Sequence, residues 1–159
     1  MLSQDYQQRF TGLARIFGES ALEPLQQAHF CIVGIGGVGS WAAEACARSG
    51  IGNLTLIDHD DIDISNTNRQ LHTLAGSIGC SKVEVLRERI LEINPECNCS
   101  AIDDLVTRGN IEKFNFAQFD YVIDAIDHAS HKLTLMHHCR RWPDRPDPDR
   151  SHGFNLELQ

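Results

Sequence analysis

The chain has 159 residues, 42% hydrophobic and 23% charged, enough apolar material for one packed domain and too much for a disordered or fibrous chain. Its 14 lysines and arginines against 22 acids give a formal charge of -8, which argues against nonspecific wrapping of nucleic acid and leaves only a local basic site. There is no run of about 20 apolar residues, and the start, MLSQDYQQRF, lacks the basic-then-apolar order of a secretory signal, so no membrane segment and a cytoplasmic location are expected. The six cysteines, at 31, 46, 80, 97, 99 and 139, form no Cys-x-x-Cys pair and read as mostly buried thiols.

Residues 1–28 read as a helical appendage in pieces, with Pro24 interrupting or restarting the last one. From Phe30 the pattern sharpens into a strand (F-C-I-V), a glycine turn (G-I-G-G-V-G) and an alanine-rich helix stopped by Gly50 and Gly52. A second strand, L-T-L-I, ends at Asp58, and a polar segment runs from there to Gln70. Apolar residues at 83, 86, 90 and 93 predict an amphipathic helix over Lys82 to Ile93, ended by Asn94 and Pro95. Cys99 to Ile102 is a third strand, Asn110 to Phe114 a short helix, Tyr121 to Ile123 a fourth strand, and Ser130 to Cys139 a helix. This alternation is that of an α/β fold, a Rossmann-like three-layer sandwich with a mostly parallel sheet, over residues 29–141. Residues 142–159 hold three of the five prolines, alternating with charges, and read as an irregular tail with at most one edge strand in F-N-L-E-L-Q.

Gly34, Gly36 and Gly39 make a G-x-G-x-x-G turn between strand and helix, where the backbone can approach a phosphate at a helix N-terminus. The plainer reading is tight strand-to-helix packing. Asp58, 19 positions beyond Gly39, stands where a carboxylate accepts ribose hydroxyls. No Lys-Ser/Thr follows the glycines, so a P-loop is excluded. Cations against a triphosphate and a carboxylate for magnesium can come from Asn66, Arg69, Lys82 and Asp127 if they converge above the sheet. The competing readings are a surface ion pair for Arg69, a helix-start surface lysine for Lys82 and a cap or turn residue for Asp127. Asp60, Asp61 and Asp63 read as a solvated loop, with metal binding and substrate positioning as the alternatives. The histidines at 59, 72, 128, 131, 137 and 138 have no metal-ligand spacing and read as surface or helix-face residues. Trp41 is expected to pack its helix on the sheet, and Phe114, Phe116 and Phe119 to fill the core.

The string from Gly34 to Glu44 (G-I-G-G-V-G-S-W-A-A-E), then L-I-D at 58, N-T-N-R-Q from Asn66, Lys82 and D-A-I-D ending at Asp127, resembles the E1-like adenylating family. Within it, R-F-T-G-L-A-R-I-F-G from Arg9 is similar to the tRNA threonylcarbamoyladenosine dehydratase group, and the likeness covers residues 5 to about 141. The resemblance implies an ATP-dependent adenylating enzyme that uses ATP and Mg2+ and forms a homodimer. It implies that Gly34, Gly36, Gly37 and Gly39 approach the nucleotide, that Asp58 holds the ribose, and that Asn66, Arg69 and Lys82 meet the phosphates. Asp127 would organise magnesium and the attacking carboxylate, and Arg15 reaches a partner subunit's ATP, with Arg9 a nearby competitor. The implied substrate is the threonylcarbamoyl carboxylate of a modified tRNA adenosine. The alternatives are adenylation of the C-terminal glycine of a sulfur-carrier or ubiquitin-like protein, and a nonenzymatic nucleotide-binding remnant. The tail stands where family members continue with further sheet, so a truncated chain, doubtful in full catalysis, is expected.

Overall fold

The computed structural model describes residues 1–140; the irregular tail expected over 142–159, with its edge strand, lies outside the described residues. Three short helices, α1 (Gln4–Arg9), α2 (Thr11–Phe17) and α3 (Leu22–Gln27), precede β1 (His29–Val33), α4 (Gly39–Arg48), β2 (Asn53–Asp58) and α5 (Lys82–Ile93). Then come β3 (Asn98–Asp103), β4 (Tyr121–Asp124) and α6 (Ala129–Cys139). Residues 111–118 make two 3₁₀ turns where the sequence suggests a short helix. They are too short for a second α-helical crossover layer.

The four strands are parallel in the order β3-β2-β1-β4, with His29 opposite Asn53, Cys31 opposite Val122 and Asp58 opposite Asp103. Parallel neighbours need crossovers, and those crossovers cover both faces. The strand alternation divides the core accordingly. Ile32, Leu54 and Leu56 pack with Ala43 and Ala47 of α4 and Val83, Leu86 and Ile90 of α5. Cys31, Val33 and Ile57 pack on the other side with Phe114, Phe116, Phe119 and Leu135 of α6. The phenylalanines are core residues, as expected, and Cys31, Cys46, Cys97 and Cys99 are buried thiols, while Cys80 is exposed.

The N-terminal helices are docked rather than free. Tyr6 is fully buried, packs on Phe10 with ring centroids 4.6 Å apart and planes tilted by 57°, and donates its hydroxyl to the Gly50 carbonyl at the end of α4. Burial pushes that phenol up to about 12, so it stays a neutral donor. Pro24 falls in the first turn of α3, where a missing N–H costs nothing.

Two elements are tied by charge. Glu44 of α4 is buried and binds Arg89 of α5 and, at 2.8 Å, Arg48 one turn on; the Arg89 hydrogen bond holds its carboxyl below the usual range. All strands point the same way, so every loop after a strand opens on one edge of the sheet. Between β1 and β4 the chain changes the direction of its crossovers, which leaves a crevice there.

Candidate functional site

The crevice at the carboxyl edge is a cavity of about 630 Å³, within the range of roughly 300–1,000 Å³ of small-molecule sites. Its lining draws on every strand end: the glycine loop after β1, Asp58 to Asp60 after β2, Asp104 to Val106 after β3, and Ala125 to His128 with His131 after β4. Asn66, Arg69, Gln70 and Lys82 come in from the long segment between β2 and α5.

The glycines divide into two jobs. Gly34 has φ +90°, and a Cβ there would lie 2.7 Å from the Ala125 carbonyl oxygen; one on Gly39 would lie 1.8 Å from the Gly34 oxygen. These two let β1, α4 and the loop after β4 approach one another, and Gly39 is not in the cavity lining. Gly36 and Gly37 are in it, together with Gly34, and a Cβ on Gly36 would meet nothing nearer than the Gln70 amide at 3.8 Å. Gly39 thus serves packing alone, Gly36 and Gly37 lie open to the cavity, and Gly34 does both.

Asp58 holds the loop in shape. One oxygen accepts the Ile35 N–H and the other the Asp60 N–H at 2.9 Å, which leaves further lone pairs for hydroxyl donors. The Lys82 ammonium, buried at the start of α5, donates to Asp60 at 2.7 Å. Lys82 is thus not the surface lysine of the plainer sequence reading, and Asp60 is not a free loop carboxylate. Their pairing offsets the cost of desolvating a buried ammonium at the cavity wall. Arg69 is exposed, with its guanidinium on the Ser65 carbonyl at 3.1 Å and Asn68 at 2.9 Å. Asn66 is buried and its side-chain oxygen accepts the Asp63 N–H at 3.1 Å, closing a capping box around residues 63–66. Asp127 is exposed on the lining, and Arg15 is exposed on α2, outside it.

Several residues were not visible as site residues in the sequence. Gln70 is buried, lines the cavity, and its side-chain oxygen has no partner among the described residues, a position that a ligand donor would satisfy. His59 and His128 are exposed and His131 lies on α6, as expected, and all three also line the cavity. His72 departs from that expectation: it is buried, both ring nitrogens lack partners among the described residues, and burial with Lys82 nearby lowers its pKa to about 4. Trp41 also differs, being half exposed and donating its indole N–H to the Arg69 carbonyl at 3.0 Å instead of packing α4 on the sheet. Small residues, Ala43 and Ala47, do that packing.

Among the described residues, Asp58, His59 and Asp60 bring ligand atoms within 4.8 Å of one another. The carboxylates of that trio are already engaged by Ile35, Asp60 and Lys82. Asp127 stands after β4, with β1 between it and β2. No helix among the described residues is long and apolar enough to cross a membrane.

Comparison with known proteins agrees with this arrangement. A tRNA threonylcarbamoyladenosine dehydratase of Escherichia coli K12 is 52% identical over 141 residues, covering 89% of this chain and 53% of the relative. One from Haemophilus influenzae is 51% identical over 137 residues, covering 86% of this chain and 52% of the relative. The crystal structure of the E. coli enzyme in complex with ATP superposes with a TM-score of 0.86 at 52% identity, over 89% of this chain and 58% of that one. The chain thus spans about half the length of the curated relatives it matches. The model of the ThiF family, the E1-like adenylating fold, matches residues 7–142, and the chain belongs to that family.

Proposed function

We propose that this chain carries the MgATP-binding and adenylating half of an ATP-dependent tRNA threonylcarbamoyladenosine dehydratase acting in the cytoplasm. The observation that carries the reading is the single cavity in which Gly36, Gly37, Asp58, Asn66, Arg69, Lys82 and Asp127 meet at the carboxyl edge of a parallel sheet. An ATP-bound relative of 52% identity supports it.

In this reading the ribose hydroxyls donate to the free lone pairs of Asp58, and the Gly36 and Gly37 backbone lies against the phosphates without Cβ atoms in the way. Arg69 and Lys82 offset charge on the triphosphate, and Asn66 fixes the turn from which Arg69 projects. The exposed Asp127 is a hard oxygen donor suited to a magnesium ion that keeps most of its waters. Bound there, the ion would neutralise charge as the α-phosphate is attacked. The substrate carboxylate oxygen forms a bond to the α-phosphorus while the bond to the pyrophosphate oxygen breaks. Intramolecular attack on the activated carboxyl carbon then closes the ring and expels AMP, a net loss of water. Arg15, exposed on α2, is the residue available to reach a second copy's phosphates in a homodimer.

The test is calorimetric titration of the full chain with MgATP, with NADH as comparator. MgATP binds, NADH does not, and Arg69→Ala weakens MgATP about tenfold, the worth of one charge-assisted hydrogen bond. Equal binding of both, or of neither, sinks the reading. A pyrophosphate-exchange signal that needs a sulfur-carrier protein, and not modified tRNA, would replace the substrate with that protein's C-terminal glycine.

A further inference from the structure

His128 and His131 line the cavity and have no part in nucleotide binding as described above. Their rings lie against each other, with centroids 4.8 Å apart and planes 30° from parallel, so each limits the other's rotation. The Ser130 hydroxyl lies 2.9 Å from His128 Nδ1. With that hydroxyl donating, the ring proton is assigned to Nε2, which becomes a free N–H donor. Two oriented imidazoles at a cavity wall are a built feature.

Their place in the strand order says what they face. Across the carboxyl edge the order is β3, β2, β1, β4. Apolar Leu105 and Val106 follow β3, the ribose-type carboxylate Asp58 ends β2, and the glycine loop follows β1. A nucleotide laid along this edge runs from base at β3 to ribose at β2 and brings its α-phosphate to the glycine loop after β1, with the pyrophosphate toward Arg69 and Lys82. The residues after β4 then stand on the side of the α-phosphate away from the leaving pyrophosphate, where the attacking group must enter. That group is a carboxylate, and the wall there carries Asp127, whose charge a magnesium ion would offset, and the two imidazoles. The nearby ammonium groups serve elsewhere: Lys132 pairs with Asp124 at 3.2 Å, and Lys82, paired with Asp60, faces the triphosphate. The imidazole N–H groups are the donors left on that wall.

We infer that His128 and His131 form the acceptor subsite, donating hydrogen bonds to the carboxylate of an N-carbamoyl amino-acid unit and holding it toward the α-phosphate. The inference rests on the adenylation reading and adds the residues that select the acceptor. They are positioning residues, since the bond changes occur at the carboxylate and phosphorus.

The experiment is NMR of the full chain labelled at imidazole carbon and backbone nitrogen. AMP is added first, then N-carbamoylthreonine as the minimal acceptor. AMP moves the amides of Gly34, Gly36 and Gly37 and leaves the two imidazoles in place; N-carbamoylthreonine then moves both imidazoles. His131→Ala and His128→Asn each weaken the acceptor about threefold or more while AMP affinity stays within twofold of wild type. Imidazoles that respond to AMP but not to the acceptor are nucleotide contacts, and imidazoles that respond to neither are wall packing; both results overturn the inference. Glycine amides unmoved by AMP overturn the adenylation reading itself, and the inference with it.

Discussion

At the scale of single residues, the segment between β2 and α5 buries a cost that nothing in the described structure offsets. His72 is buried with neither ring nitrogen paired, so its neutral form is imposed by burial and by the Lys82 charge. A folded-state pKa of about 4 below the ordinary 6.5 means the unfolded chain binds the proton first as pH falls. Stability from this residue is complete above about pH 6.5 and drains away toward pH 4, by up to about 3 kcal/mol. Urea midpoints measured from pH 7 to 4.5 should fall more steeply for the wild type than for His72→Leu, which replaces the orphaned ring by apolar atoms. Parallel curves would show that the ring is hydrated and carries no such penalty. The identity of this residue was readable in the sequence, but its burial was not. Nothing in L-H-T-L marks which side of an irregular segment turns inward.

At the scale of elements, α4 and α5 cover one face of the sheet and are joined by the Glu44–Arg89 pair as well as by apolar contact. Glu44→Ala leaves two arginines that retain water, with side chains 38% and 59% exposed, so the loss is that of the hydrogen bonds and not of two stranded charges. A destabilisation of about 1–2 kcal/mol is expected, against about 3–5 for a fully buried pair, measured by urea unfolding at pH 7. The carboxyl is held low in the folded state, so the Glu44 contribution is present above the ordinary carboxylate range and lost as pH falls through the folded value. The difference between wild type and Glu44→Ala should therefore shrink in acid. The helices themselves were legible: the spacing of residues 83, 86 and 90 fixes both the length and the buried face of α5. The partner of Glu44 was not, because it is 45 positions away and the pairing follows from how two helices lie on one sheet.

At the scale of the molecule, the mouth of the cavity is edged by exposed apolar groups. Val38, Trp41 and Ile64 are 72%, 54% and 71% exposed around Arg69, while Ile16 and Phe17 are 73% and 67% exposed beside Arg15 on α2. A homodimer that lays one copy's α2 on the other's mouth covers both patches and brings Arg15 to the phosphates. Sedimentation of the wild type should then give a dimer, and Ile16→Ser with Phe17→Ser a monomer with weaker MgATP binding. Arg15→Ala should stay dimeric and still lose affinity. A monomeric wild type that binds MgATP at full strength sinks the shared-site arrangement.

The chain by itself determined the alternating β-α order, the glycine turn, the strand-end Asp58 and the family, because each is a local pattern: periodicity, a turn that tolerates no Cβ, or a short run of residues. Tertiary structure decided what each part does. It assigned Gly39 to close packing, Gly36 and Gly37 to the cavity and Gly34 to both, and it buried Lys82 against Asp60. It also turned Trp41 outward onto Arg69 and set His128 beside His131 on the cavity wall after β4. Those assignments depend on strand order and on which loops share one edge of the sheet. Such relations join residues far apart in the chain, where no local spacing records them.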